Sequence, residues 1–168
     1  MIGVRLAAAL VDLAVDGPWG PEAVRPLLRA SFVHDVDGDA LSPAVLDGLA
    51  SWTRSLRAVF EAPGPLDRAD RINDLLDAGV RRVRLAVHDD LPPHLHFADT
   101  EDDLVQRVRA LTAGGLAIFA VEAEAGRLGV CARPGCAHVY VDTSKNGRRA
   151  YCTATCGNTH AVQRRRAR

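Results

Sequence analysis

The four cysteines constrain this chain most, because all of them lie in its last 38 residues and none in the first 130. Their spacing is C-x4-C, then fifteen residues, then C-x3-C. A Pro-Gly pair inside CARPGC predicts a turn that folds the chain back on itself. Cysteines four residues apart would share one face of a helix. The pattern predicts a tetrahedral metal site with four thiolate ligands: Cys131, Cys136, Cys152 and Cys156.

Zinc is the metal that this ligand set predicts. A catalytic zinc usually keeps an open position beside three protein ligands, whereas four thiolates leave none, so we expect a structural site. An iron–sulfur cluster remains the competing metal interpretation. A pair of disulfides is disfavoured in a reduced compartment, and clustering of all four cysteines disfavours thiols that are merely buried.

The residues between the two cysteine pairs predict a β-hairpin. His138–Val141 alternates in polarity, Asn146-Gly147 is a strong turn signal, and Arg149–Tyr151 forms the returning strand. The expected order is therefore a knuckle, a hairpin and a helix that opens with the second ligand pair, which is a treble-clef-like arrangement. Asp142 is expected to orient a hairpin arginine or to cap the turn that follows it.

Proline and capping signals predict helices before the cysteines. One helix begins near Pro21, and another begins after Ser42, which precedes a proline at the first helical position. Apolar residues at helical spacing, including Trp52, follow Ser42 and stop at Pro63. A further helix is expected over Leu66–Ala78. We interpret Trp19 and Trp52 as core residues.

A short β element and one more helix complete the N-terminal part. VRRVRLAVHDD and LPPHLHFAD predict a hairpin, on which His94 and His96 share one face. These histidines either have a structural role or bind a second metal or a small ligand. Thr100 is expected to cap a helix through residue 125, in which Gly114-Gly115 marks close packing or a break. The fold class is therefore α+β, with domains at 1–126 and 127–168.

The sequence favours a cytoplasmic protein. No window approaches 18 uninterrupted apolar residues, which argues against a transmembrane helix. The first residues of the chain resemble a signal peptide over a short apolar run, but Asp12 interrupts that run. We therefore interpret these residues as the first buried segment.

The formal net charge is zero because two segments of opposite charge cancel. Residues 127–168 carry nine basic residues and one acid, for a net charge of +8, and residues 1–126 carry −8. Zinc with four thiolates would leave the basic segment near +6. The asymmetry predicts a nucleic-acid partner for the basic end, or else attraction between the two parts of the chain.

The stretches CARPGC, VDTSKNGRRAYC and CGNTHAVQRRRAR resemble the CGNR zinc-finger family. The preceding residues, with the HLH string at His94–His96, are similar to the ABATE domain that usually precedes this finger. This is a family of proposed stress-linked transcriptional regulators, so the resemblance implies DNA binding and the same four zinc ligands. Thr159 stands where the family motif has arginine, which weakens any DNA contact carried over from that position.

DNA contacts are expected from the last helix and the hairpin. Arginines bind phosphates through charge-assisted hydrogen bonds, and glutamine can contact adenine edges. The candidates are Lys145, Arg148, Arg149, His160, Gln163, Arg164, Arg165, Arg166 and Arg168. The alternative for the terminal arginines is a frayed, solvated end.

Three functions compete at this stage. The first is a DNA-binding regulator, for which a homodimer and a small-molecule effector at the N-terminal domain are expected partners. The second is a protein-interaction module whose finger docks on an acidic partner. The third is an enzyme, which the sequence does not favour because it has no P-loop, no nucleophile elbow and no general-base constellation.

Overall fold

The computed structural model describes residues 1–87, 92–99, 101–123 and 127–167. Within these ranges the chain is helix-rich and has two small antiparallel strand pairs, which agrees with the mixed fold predicted above. The elements are α1 (Ile2–Asp16), α2 (Pro21–Ala30), a 3-10 helix (Gly38–Leu41), α3 (Pro43–Glu61), α4 (Pro65–Gly79), β1 (Arg84–Ala86), β2 (His94–His96), α5 (Leu104–Glu122), β3 (Leu128–Val130), β4 (Val139–Val141) and α6 (Ala154–Arg166).

The predicted helix starts in the first half of the chain are confirmed. Pro21 is the first residue of α2, where its missing N–H costs no helical hydrogen bond. Ser42 caps α3, since its hydroxyl accepts a hydrogen bond from the Val45 backbone N–H at 3.4 Å. The predicted helix over Leu66–Ala78 is α4, which begins one residue earlier and ends at Gly79.

The α5 helix differs from its prediction at its start. Asp103 caps it, because the Asp103 carboxylate accepts from the Gln106 backbone N–H at 2.8 Å. The predicted cap, Thr100, lies outside the described residues, and so do residues 124–126 at the predicted end. The helix runs through Gly114-Gly115 without a break, so the glycines mark close packing.

The core forms where α1 and α3 pack against α5. Their fully buried side chains include Leu10, Leu56 and Leu116. Trp52 belongs to this core, as predicted, and its indole N–H donates to the Thr112 hydroxyl at 2.9 Å. Trp19 packs at the edge of the same core and donates to the Leu46 carbonyl at 3.2 Å.

The first strand pair confirms the predicted hairpin. β1 and β2 are antiparallel, with Leu85 opposite Leu95 and Ala86 opposite His94. His88, Asp89 and Asp90, at the predicted turn, lie outside the described residues. The shared face of the two histidines is confirmed too, because the Nε2 atoms of His94 and His96 are 3.0 Å apart.

The second strand pair corrects the predicted hairpin. β4 pairs with β3, which precedes the first cysteine, and not with Arg149–Tyr151. The returning segment instead forms isolated contacts, such as the 2.8 Å hydrogen bond from the Ala132 N–H to the Ala150 carbonyl. Leu128 and Val139 of this pair are buried in the same core as the helices. The finger segment, which we define as residues 127–168, therefore packs directly on the helical part, residues 1–123.

The α5 helix is long and apolar enough to cross a membrane by length and composition alone. Half of that apolar window is buried inside the protein, where α5 packs against α1 and α4. A buried core helix passes the same test, so this is weak evidence for a membrane span.

Candidate metal centre and basic helix

The first two candidate ligands lie on a knuckle between β3 and β4. Cys131 follows β3, and its N–H donates to the His138 carbonyl at 2.9 Å. The turn is closed by Cys136, whose N–H donates to the Arg133 carbonyl at 3.0 Å. Gly135 has a φ of 77°, a left-handed conformation that glycine adopts without strain. The predicted Pro-Gly turn is therefore what folds the two thiols together.

The second pair of candidate ligands lies at the start of α6. Thr153 caps this helix by accepting from the Cys156 N–H at 3.1 Å. Cys156 is in the first turn, whereas Cys152 precedes the cap, so the prediction that both lie on one helix face is wrong. Their sulfurs are nevertheless 3.5 Å apart, because the extended backbone at the cap turns Cys152 toward the helix.

The four sulfurs form one compact cluster, all within 4.8 Å of one another. Three of the six separations are 3.8 Å between Cys136 and Cys152, 3.5 Å between Cys152 and Cys156, and 3.9 Å between Cys136 and Cys156. A disulfide needs about 2.05 Å, so these are free thiols. Tetrahedral sulfurs bonded to zinc at about 2.3 Å lie about 3.8 Å apart. The four cysteines are therefore positioned to bind one metal ion.

The surroundings of the cluster favour thiolates at two positions. Burial would raise the pKa of Cys136, but hydrogen bonds from His138 and Arg133 outweigh it and lower that pKa to about 6. The Thr153 hydroxyl lowers the pKa of Cys156 as well. Burial and the neighbouring thiols raise the pKa of Cys152 to about 12. A cation among the four sulfurs offsets this cost, since metals bind cysteine as the thiolate.

Asp142 holds together the loop between β4 and α6. Its side chain is 1% exposed, and its carboxylate accepts from the backbone N–H groups of Ser144 and Arg149 at 2.9 Å and 2.8 Å. Burial would raise the pKa of Asp142, but these hydrogen bonds lower it below the ordinary value. The predicted turn-capping role of Asp142 is confirmed. The turn itself contains Gly147, with a φ of 58°, as the Asn-Gly pair predicts.

Arg149 is engaged in the same loop. Its guanidinium donates to the backbone carbonyls of Val141 and Tyr151, at 3.3 Å and 2.8 Å, and to that of Cys152. This side chain therefore fixes the chain just before the second ligand pair. Lys145 and Arg148, the other two hairpin candidates, are exposed on the turn.

The α6 helix projects from the finger segment. None of its thirteen residues, all of which the structure describes, is buried. Tyr151 holds its inner face: the Tyr151 hydroxyl lies 3.2 Å from His160 Nδ1, and the Tyr151 ring packs against the backbone at Gly157. Of the candidate contacts on α6, His160 is thus partly engaged, while Gln163, Arg164, Arg165 and Arg166 are exposed. Arg168 lies outside the described residues.

Sequence reasoning missed the residues that surround the cluster. His138 Nδ1 lies 3.4 Å from Cys136 Sγ, and its other ring nitrogen lies 2.8 Å from Asp16 Oδ1. The pKa of His138 is raised, first by its hydrogen bond with Cys136 and then by Asp16. The only local signal for this contact was a histidine two residues after a cysteine. Asp16, which contacts the other ring nitrogen of His138, is 122 residues away in the sequence, so no spacing pattern predicts that contact.

Residues 127–168 match the family model of the CGNR zinc finger. The match covers the whole finger segment, including the four clustered cysteines. No curated protein matches the chain. The finger segment accordingly matches a zinc-finger family model, and its four cysteines are positioned to bind a metal ion. The domain division at residue 126 and the likeness of the helical part to an ABATE domain stay predictions.

Proposed function

We propose that this chain is a DNA-binding transcriptional regulator of the cytoplasm, with an ABATE-like helical domain and a CGNR-type finger. In this proposal the four cysteines hold a structural Zn²⁺, and α6 contacts the DNA. The single observation that carries the proposal is that α6 projects from the finger with no buried residue and with three arginines in its last turn.

The donor set suits zinc. Four clustered thiolates are a common structural zinc site, and the family model is that of a zinc finger. When bound, the ion joins the knuckle to the start of α6. The residues of this chain do the rest, because Arg149 and Asp142 fix the loop between the two ligand pairs.

A helix of this kind fits the major groove. An α-helix is about 10–12 Å across, and the groove is about 12 Å wide. Thirteen helical residues extend about 20 Å, enough to follow the groove for several base pairs. Three consecutive arginines, at about 100° per residue, cover more than half the circumference of the helix. They can therefore reach phosphates on both sides of the groove.

The orientation of α6 indicates which residues would face the bases. Tyr151 covers the face that carries Gly157 and His160. At about 100° per residue, Asn158 and Val162 lie on the opposite side of the helix, and both are exposed. Asparagine pairs with adenine through two hydrogen bonds, and an apolar side chain such as valine can contact the thymine methyl group. We propose these positions for base contact, in addition to the phosphate-binding arginines.

The test is binding of zinc-loaded, full-length protein to duplex DNA. Binding should weaken as salt rises, and should weaken further when Arg164, Arg165 and Arg166 are changed to Ala. A matched control changes Arg54, Arg71 and Arg82, which are exposed in the helical part, to Ala. The control removes the same charge and should leave affinity within about twofold. Equal losses in both variants, or no binding by zinc-loaded protein, would refute the proposal.

One observation favours a second function, a protein-interaction module that does not bind DNA. The hairpin of β1 and β2 exposes its apolar face, where Leu85 is 70% exposed and Leu95, opposite it, is 44% exposed. Val83 and Val87 extend the same apolar row. Exposed apolar patches frequently mark interaction sites. Under this alternative a protein co-purifies with the chain, and duplex DNA does not compete with it.

A further inference from the structure

A short segment of the finger is held by three side chains of the helical part. Arg57 on α3 donates to the Ala137 carbonyl at 3.1 Å. Asp16, at the end of α1, accepts from His138 Nε2 at 2.8 Å. Asp12, one turn earlier on α1, accepts from the Val139 N–H at 2.8 Å. Residues 137–139 follow the ligand Cys136 directly, so the helical part hydrogen-bonds to the chain beside the metal centre.

His138 connects this contact with the helical part to the sulfur cluster. One ring nitrogen faces Asp16, and the other lies 3.4 Å from Cys136 Sγ. Because Asp16 can only accept, the hydrogen bond to Nε2 fixes the ring in the orientation that points Nδ1 at the sulfur. The His138 carbonyl also accepts from the N–H of Cys131, a second ligand. A single residue therefore contacts two ligand residues and the end of α1.

We infer that the helical part controls how tightly the finger holds its metal, with His138 as the positioning residue and Asp16 as its anchor. Groups that hydrogen-bond a metal ligand orient it, and their removal typically weakens metal binding about 10- to 100-fold. The inference rests on metal binding by the four cysteines, but it is independent of the proposed DNA binding.

The coupling must run in both directions, since linkage between two sites is reciprocal. Metal in the cluster holds Cys136 and His138 in place, and so strengthens the docking of the finger on α1. A ligand or partner that displaces the end of α1 would, in turn, speed the loss of metal. Asp16 is 60% exposed in its side chain, so such a partner can reach it.

The experiment measures zinc release from full-length protein into an excess of a coloured chelator. The variants are Asp16→Ala, which removes the anchor, and His138→Ala, which removes both contacts. Asp16→Asn restores an acceptor without the charge. The control is Asp39→Ala, which removes an exposed acid of the 3-10 helix. We expect release at least about tenfold faster in both alanine variants. Partial recovery is expected in Asp16→Asn, and no change in Asp39→Ala.

A second readout separates positioning from a loss of folding. In cobalt-loaded protein the sulfur-to-cobalt absorption band should shift in His138→Ala and persist unshifted in His138→Asn, which keeps a hydrogen-bonding side chain near Cys136. Release within twofold of the parent protein in both alanine variants would overturn the inference. If His138→Ala does not fold, Asp16→Ala alone decides. Parent protein that binds no zinc would instead refute the metal centre itself.

Discussion

Gly3 on α1 and Gly115 on α5 lie in backbone contact, so that a Cβ at Gly115 would come within 2.6 Å of Gly3 Cα. No side chain separates the two helices at this crossing. Close approach of this kind requires glycine at both positions, and it places α1, with Asp12 and Asp16, where the finger docks.

Gly115→Ala should therefore destabilise the protein by about 2–3 kcal/mol, because the neighbouring atoms are backbone and cannot move aside. Thermal unfolding followed by circular dichroism measures this. The control is Gly20→Ala, where a Cβ meets nothing within 4 Å and the expected cost is under about 1 kcal/mol. Equal melting temperatures for Gly115→Ala and the parent protein would contradict the close packing.

Replacing Arg68 should destabilise the protein about as much as Gly115→Ala, because the Arg68 side chain makes buried hydrogen bonds. Its buried guanidinium donates to the carbonyls of Val59 and Ala62, at 3.1 Å and 2.9 Å, at the end of α3. Arg68→Ala leaves these acceptors without that donor, at a cost of about 2–4 kcal/mol in urea unfolding. Arg71→Ala, which removes only an exposed pair with Asp74 at 3.9 Å, should cost less than about 1 kcal/mol. Similar losses in both variants would contradict the role of Arg68.

The sequence predicts those parts of the fold that local chemistry decides. Ser42 and Pro43 define the start of α3, and the Pro-Gly and Asn-Gly pairs define the two turns of the finger, because each requirement is satisfied within a few residues. The cysteine cluster was predictable for the same reason. Its metal ligands come from two local elements, and both are marked by their spacing.

What the sequence does not predict depends on contacts between distant segments. β4 was expected to pair with Arg149–Tyr151, which follow a strong turn signal. Instead β4 pairs with β3, whose Leu128 is buried in the core. The link from Asp16 to Cys136 through His138 depends on docking of α1 against the finger. Neither contact has a periodic or spacing signature that identifies its distant partner, so a single sequence does not predict it.

Asp142→Asn should weaken the finger, because an amide group can accept only one of the two backbone hydrogen bonds well. We expect about 2–3 kcal/mol less stability and faster zinc release, with Asp39→Asn as the unaffected control. The hydrogen bonds lower the pKa of Asp142, so its stabilisation is present above the ordinary carboxyl pKa of 3.8 and is lost on further acidification. A stability difference between parent and variant that persisted at lower pH would contradict this assignment.

Metal analysis should return one zinc ion per chain. His94 and His96 approach within 3.0 Å, but His94 Nδ1 also lies 3.0 Å from the Pro92 carbonyl, which suits a structural role in the hairpin. Changing both histidines to Ala should leave the zinc content unchanged, whereas Cys136→Ser with Cys152→Ser should abolish it. A second ion lost in the histidine variant would assign the hairpin a metal site.

The salt dependence of DNA binding gives the most quantitative test of the basic helix. Each phosphate neutralised by a side chain contributes about −0.9 to the slope of log affinity against log salt concentration. Changing Arg164, Arg165 and Arg166 to Ala should therefore reduce the steepness of that slope by about 3, if all three contact phosphates. Asn158→Ala should instead leave the slope unchanged and alter sequence preference, since that residue lies on the face opposite Tyr151. Titrations at four salt concentrations distinguish these outcomes, and an unchanged slope in the triple variant would remove α6 from the phosphate interface.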